Sequence, residues 1–190
     1  MKTALFLTLF LPAIAFDKPL FIGDSLTYTL ATSAKKYIPV DGLYKDSTGL
    51  TDRSAVKWND YVQTMSFQDY ETVVISLGAN DGIGANQITS YQQKATRFIR
   101  QIQQSNPSTS IIWILPPVMK NPTTEAALVN TRKAIRLAVD ETQIASFDPE
   151  VAIGRQFTLT VNDVQVRTHD GIHYTSKGSD LIIGRLLTSK

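Results

Sequence analysis

Three uninterrupted apolar runs punctuate the chain: Leu20-Phe21-Ile22, Val73-Val74-Ile75 and Ile111-Ile112-Trp113-Ile114-Leu115. Runs of this kind suit strands covered on both faces, because neither side of such a strand meets water. The first ends at Gly23, the second near Gly78, and the third is stopped by Pro116-Pro117. Val40 to Tyr44 and Ile144 to Phe147 repeat the pattern more weakly. Between the runs the period changes. Ile88, Tyr91, Ala95, Phe98, Ile99 and Ile102 recur three or four apart, with Gln92, Gln93, Lys94 and Arg97 on the polar side, which predicts an amphipathic helix. A second helix is predicted from about Thr124 to Glu141, with Leu128, Ile135, Ala138 and Val139 on one side, and a third over Ser176 to Leu187. Alternating strands and helices predict an α/β sandwich around a mainly parallel sheet. Phe157, Leu159 and Val161, then Asn162-Asp163, then Val164 and Val166, alternate with period two around a turn dipeptide and predict an inserted hairpin.

The first residues follow a different rule. Residues 1–15 carry one cation, Lys2, an apolar run from Ala4 to Leu11, and Ala13-Ile14-Ala15, which has the small-x-small form of a cleavage site. This is the pattern of an export signal, and it is well short of the roughly 20 apolar residues that span a bilayer. The expectation is a signal peptide over 1–15 followed by one domain over 16–190, destined for the periplasm or for secretion, with no stable membrane span. A chain of 190 residues has room for one domain with a real core and little more. The absence of cysteine excludes disulfides, thiolate-ligated metal and a cysteine nucleophile, and two histidines cannot build a multi-histidine metal centre. Lys+Arg of 19 against Asp+Glu of 17, with basic residues clustered only in pairs such as Lys35-Lys36, leaves no stripe that would track phosphates, so nucleic acid is not an expected partner. The chemistry left is that of oxygen nucleophiles, carboxylates and an imidazole.

Four short motifs carry those groups. Gly23-Asp24-Ser25-Leu26 follows the first strand, where an open α/β sheet places its ligands and where a following helix would offer its N-terminal amides; alone, the segment reads equally as a helix N-cap. Ser47-Thr48-Gly49-Leu50 follows the weak second strand, and its glycine would let the backbone approach a ligand or simply make a turn. Gly78-Ala79-Asn80-Asp81 follows the next strand; the Asn80 amide could donate to an oxyanion or form an Asx turn. In Asp170-Gly171-Ile172-His173, a carboxylate three residues before an imidazole can hold its Nδ1 proton and leave Nε2 as a base, or the two can be a surface pair.

In this order the motifs resemble the SGNH, or GDSL, hydrolase family: Ser25 in Gly23-Asp24-Ser25-Leu26, then Gly49, then Asn80 in Gly78-Ala79-Asn80-Asp81, then His173 in Asp170-Gly171-Ile172-His173. The resemblance spans essentially all of 16–190 and looks most like exported bacterial members. It implies a three-layer α/β/α sandwich with a five-stranded parallel sheet. It also implies ester hydrolysis in which Ser25 is the nucleophile, His173 the base and Asp170 its orienting carboxylate. The Ser25 and Gly49 backbone amides and the Asn80 side chain would form the oxyanion hole, with no cofactor and no metal. Tyr174, the Asp46-Ser47-Thr48-Gly49 wording and the Phe157 to Val166 hairpin depart from the family pattern and bear on the substrate. Export and a single small domain point to O-acetyl groups on envelope or extracellular polysaccharide, that is, a small acyl ester or acylated carbohydrate as partner. A lysophospholipase or thioesterase, or a non-catalytic binding protein on this fold, are the alternatives. Asp24, Thr27, Asp81 and His169 are expected to be structural. The Thr51 to Trp58 stretch would either line the crevice or start a solvated helix with Trp58 in the core.

Overall fold

A computed structural model describes residues 18–189 apart from Asp52, so the expected export segment, 1–15, lies outside the described residues. The long apolar runs become the inner strands of one sheet: β1 (Leu20–Gly23), β3 (Thr72–Ser76) and β4 (Ser110–Ile114). The edge strands β2 (Asp41–Tyr44) and β5 (Ala145–Phe147) complete it, in the order β2-β1-β3-β4-β5, with every pair parallel.

Side chains alternate across each inner strand, as the pleat requires, so each strand feeds two cores. Leu20, Ile22, Val73, Ile75, Ile111 and Trp113 face α2 (Trp58–Gln63), α3 (Ile88–Ser105) and α4 (Pro122–Thr142). Phe21, Val74, Ile112 and Ile114 face the opposite layer, built from α1 (Ser25–Ala34), α5 (Glu150–Ile153) and α6 (Ser176–Thr188). The result is the three-layer α/β/α sandwich with five parallel strands. The four-residue helix α5 has no counterpart in the periodicity, being too short to show one. The predicted hairpin forms around its turn dipeptide, with Asn162 at φ 48 and Asp163 at φ 63, but pairs only over β6 (Thr160–Val161) and β7 (Val164–Gln165). Two successive left-handed residues give the turn whose twist matches that of paired strands. Among the described residues no helix is long and apolar enough to cross a membrane.

One topological feature positions the chemistry. The chain leaves β1 for β2 on one side and then crosses to β3 on the other, so the connections diverge beside β1 and open a crevice at the carboxyl ends of β1 and β3. Ser25 opens α1 directly after β1, and the loops after β2 and β3 carry Gly49 and Asn80.

Candidate active site

Strand β1 ends where it must pass close to β3. A Cβ on Gly23 would overlap the Ser76 carbonyl, and the next amide, Asp24 N–H, donates to that same carbonyl at 3.0 Å. Asp24 then caps α1, its Oδ1 accepting from the Leu26 N–H at 3.0 Å while Oδ2 accepts from the Ala79 N–H at 3.3 Å. One buried carboxyl thus ties the start of the Ser25 helix to the loop that carries Asn80. Burial pushes its pKa up to about 7 against the hydrogen bonds from Leu26 and Ala79. The Thr27 hydroxyl adds a second tie to Ser76 O at 3.0 Å.

Ser25 occupies the first turn of α1, half-buried, where backbone amides have no intrahelical acceptor. Its Oγ lies 2.9 Å from His173 Nε2, and His173 Nδ1 lies 2.7 Å from Asp170 Oδ2. The other oxygen of Asp170 accepts from the Thr168 hydroxyl at 2.5 Å and from the backbone amides of Ile172 at 2.8 Å and His173 at 3.1 Å. Burial pushes the Asp170 carboxyl up, but the bonds from His173, Thr168 and the two amides outweigh it and hold the group well below the usual carboxylate range. This carboxylate therefore stays ionised beside the imidazole at neutral pH. His169 is exposed, and the carboxylate of its neighbour Asp170 reaches His173 instead.

The loop that carries the imidazole is braced from below. The buried Arg167 guanidinium donates to Val118 O and to Ile172 O, each at 2.9 Å, and lies 5.4 Å from the centre of the Tyr174 ring. Tyr174, one of the departures from the family wording, is itself buried and belongs to the core on the α1, α5 and α6 side of the sheet.

The two remaining predicted residues have protein partners. Asn80 is exposed and its Nδ2 donates to Thr48 O at 2.9 Å, while the Gly49 N–H donates to the Ser54 hydroxyl at 3.1 Å. Gly49 is buried against Asp81, whose carboxylate would overlap a Cβ there. That carboxylate accepts from the Leu50 N–H at 2.6 Å, the Thr51 N–H at 3.2 Å and the Tyr91 hydroxyl at 2.7 Å. Burial, then the Asp81 charge, raises the Tyr91 pKa well above its ordinary value. Asp81 is structural in the sense expected, since it fixes the backbone on the far side of Gly49. In the Thr51 to Trp58 stretch, Trp58 is a core residue whose indole N–H donates to the Thr48 hydroxyl at 3.0 Å, and a cleft of about 360 Å³ runs along Gly49, Leu50, Thr51 and Val56 without reaching Ser25, Asn80 or His173.

The structure therefore joins Ser25, His173 and Asp170 in one series, sets Asn80 against the loop after β2, and turns the Gly49 amide to Ser54. The series can remove a proton from a serine hydroxyl and stabilise the resulting imidazolium, which is the chemistry of an activated nucleophile. Sequence reasoning missed Thr168, Arg167 and Ser54. No spacing or strand-end position marks them, because each acts across a loop.

Comparison with solved structures places this geometry on a known fold. A protein assigned to the lipolytic G-D-S-L family from Desulfitobacterium hafniense superposes with a TM-score of 0.68 at 16% identity, covering 90% of this chain and 97% of that one. A carbohydrate acetylesterase from Sinorhizobium meliloti superposes at 0.63 and 12% identity over 90% of this chain and 96% of the other. A peptidoglycan O-acetylesterase superposes at 0.63 and 25% identity over 79% of this chain and 45% of that one. No curated protein matches the chain at a significant level. A family model described as a protein of unknown function, DUF459, matches residues 18–189, and the chain, built on the SGNH hydrolase fold, belongs to that family.

Proposed function

We propose that the protein is a serine esterase that removes small acyl groups, acetyl above all, from carbohydrate, with residues 1–15 acting as an export signal. The observation that carries this reading is the series Ser25 Oγ, His173 Nε2, His173 Nδ1, Asp170 Oδ2, with separations of 2.9 and 2.7 Å at its two polar junctions. Ser25 Oγ attacks the acyl carbon as His173 Nε2 takes the hydroxyl proton. The tetrahedral intermediate collapses by expelling the alkoxide, which leaves as an alcohol carrying that proton, and the acyl group stays on Ser25. Water then attacks the acyl-enzyme, His173 takes a proton from it and returns that proton to Ser25, and the acid departs. Asp170 holds the imidazole in the required tautomer and balances its charge. The oxyanion is stabilised by the Ser25 amide at the start of α1, by the Asn80 side chain and by the Gly49 amide.

The likeness to a carbohydrate acetylesterase and to a peptidoglycan O-acetylesterase supports the acetyl and carbohydrate parts of the reading. A serine-directed phosphonate should add one adduct, at Ser25, and aryl acetate should turn over faster than aryl octanoate. Faster turnover of the octanoate would replace the acetylesterase with a lipid-directed esterase. Absence of an adduct with intact folding would remove Ser25 from the mechanism.

A further inference from the structure

The peptide that joins Thr48 to Gly49 is oriented against the reaction proposed above. The bond is trans, so its carbonyl and its N–H point in opposite directions. The carbonyl accepts from Asn80 Nδ2 and the N–H donates to Ser54 Oγ, so Asn80 and Ser54 bracket the peptide from opposite sides. An oxyanion bound by the Asn80 amide lies on the carbonyl side, beyond the aim of the Gly49 N–H. Gly49 can serve that oxyanion only if the peptide turns over.

The chain on either side of this peptide is anchored. On one flank the Thr48 hydroxyl donates to Lys45 O at 2.6 Å and accepts from Trp58 Nε1. On the other flank Asp81 holds the amides of Leu50 and Thr51. With both flanks anchored, turning the peptide changes ψ of Thr48 and φ of Gly49 in compensating senses. Gly49 rests at negative φ, and the rotation carries it toward positive φ, which glycine adopts readily. Ser54 is placed to oppose the turn. Its hydroxyl donates to Val56 O at 2.8 Å, which leaves its lone pairs for the Gly49 N–H, and Val56 lines the same cleft as Gly49.

We propose that Ser54 is a positioning residue that latches the Thr48–Gly49 peptide in a resting orientation, and that the oxyanion hole is completed when this peptide rotates and delivers the Gly49 N–H to the acyl oxygen. The inference rests on Ser25 being the nucleophile, and its test separates the two. Ser54→Ala removes the latch. It should raise kcat for aryl acetate about three- to tenfold with KM little changed, the bias that one hydrogen bond of ordinary net strength gives a two-state equilibrium. Ser54→Thr keeps the hydroxyl and should return the rate to that of the unaltered protein. A fall or no change in kcat for Ser54→Ala, or an equal rise in Ser54→Thr, overturns the latch. A readout independent of turnover comes from the unaltered protein. In amide NMR the Gly49 N–H should be protected from exchange at rest and should move strongly when a phosphonate is attached to Ser25. A Gly49 resonance that does not respond to a formed adduct overturns the proposal, whereas failure to form the adduct overturns the esterase reading beneath it.

Discussion

The two halves of the site differ in what they hold at rest. On one side, Ser25, His173 and Asp170 are already bonded to each other, although Ser25 and His173 are 148 residues apart in the chain. On the other side, Asn80 and Gly49 are bonded to Thr48 and Ser54, groups that take no part in the proposed chemistry. The difference follows from what each half serves. A proton relay is made of donors and acceptors that satisfy one another, so it assembles without substrate. Oxyanion donors serve a charge that exists only during the reaction, and a buried amide such as the Gly49 N–H is costly to leave without an acceptor, so it takes a local substitute until that charge arrives.

The largest effect should come from the first half. His173→Ala should lower kcat by roughly 10⁴-fold or more, since removing the serine or the histidine of a triad costs about as much as removing all three members. His169→Ala should cost less than about tenfold, under roughly 1.4 kcal/mol of barrier. The reverse ranking, measured in folded variants, would break the assignment of the relay. The oxyanion half should respond less. Asn80→Ala should lower kcat by about 100- to 1,000-fold with KM affected far less, the usual scale for one oxyanion donor. A near-normal kcat in that variant would show that the second half contributes nothing beyond loop structure.

A third effect falls on stability rather than on rate and concerns the joint between the halves, Asp24, which bonds both the Ser25 helix and the Asn80 loop. Its folded pKa of about 7 lies above the 3.8 of an unperturbed carboxyl. Between those values the folded state keeps a proton that the unfolded chain has released, so stability from this site is complete below pH 4 and is lost as pH rises toward 7. The stability of the unaltered protein relative to Asp24→Asn, followed by denaturant unfolding, should therefore fall from pH 4 to pH 7 and level off above. A difference independent of pH would show that Asp24 does not titrate in this range.

The sequence by itself determined the fold class. β1, β3 and β4 are the inner strands, buried on both faces, so their apolar runs are continuous and visible. β2 and β5 lie at the sheet edges, where Gly42, Tyr44, Ala145 and Ser146 remain exposed, so their signal is faint for a physical reason. The helices α3, α4 and α6 were legible through their periodicity, while α5 is too short to have one. Ser25, Asn80, Asp170 and His173 were candidates from their places at strand ends and in a pre-helix loop, each open to a structural reading on its own, and only the order of the motifs and its resemblance to the SGNH family singled them out. Gly49 was legible as a residue, but the direction of its amide was not, since composition does not say which way a peptide points. That direction, the bracing of the imidazole loop by Arg167 and Thr168, and the engagement of Ser54 were decided by tertiary structure. Each depends on which groups from distant segments arrive to satisfy a backbone donor or a buried charge, and only the packed chain settles that competition.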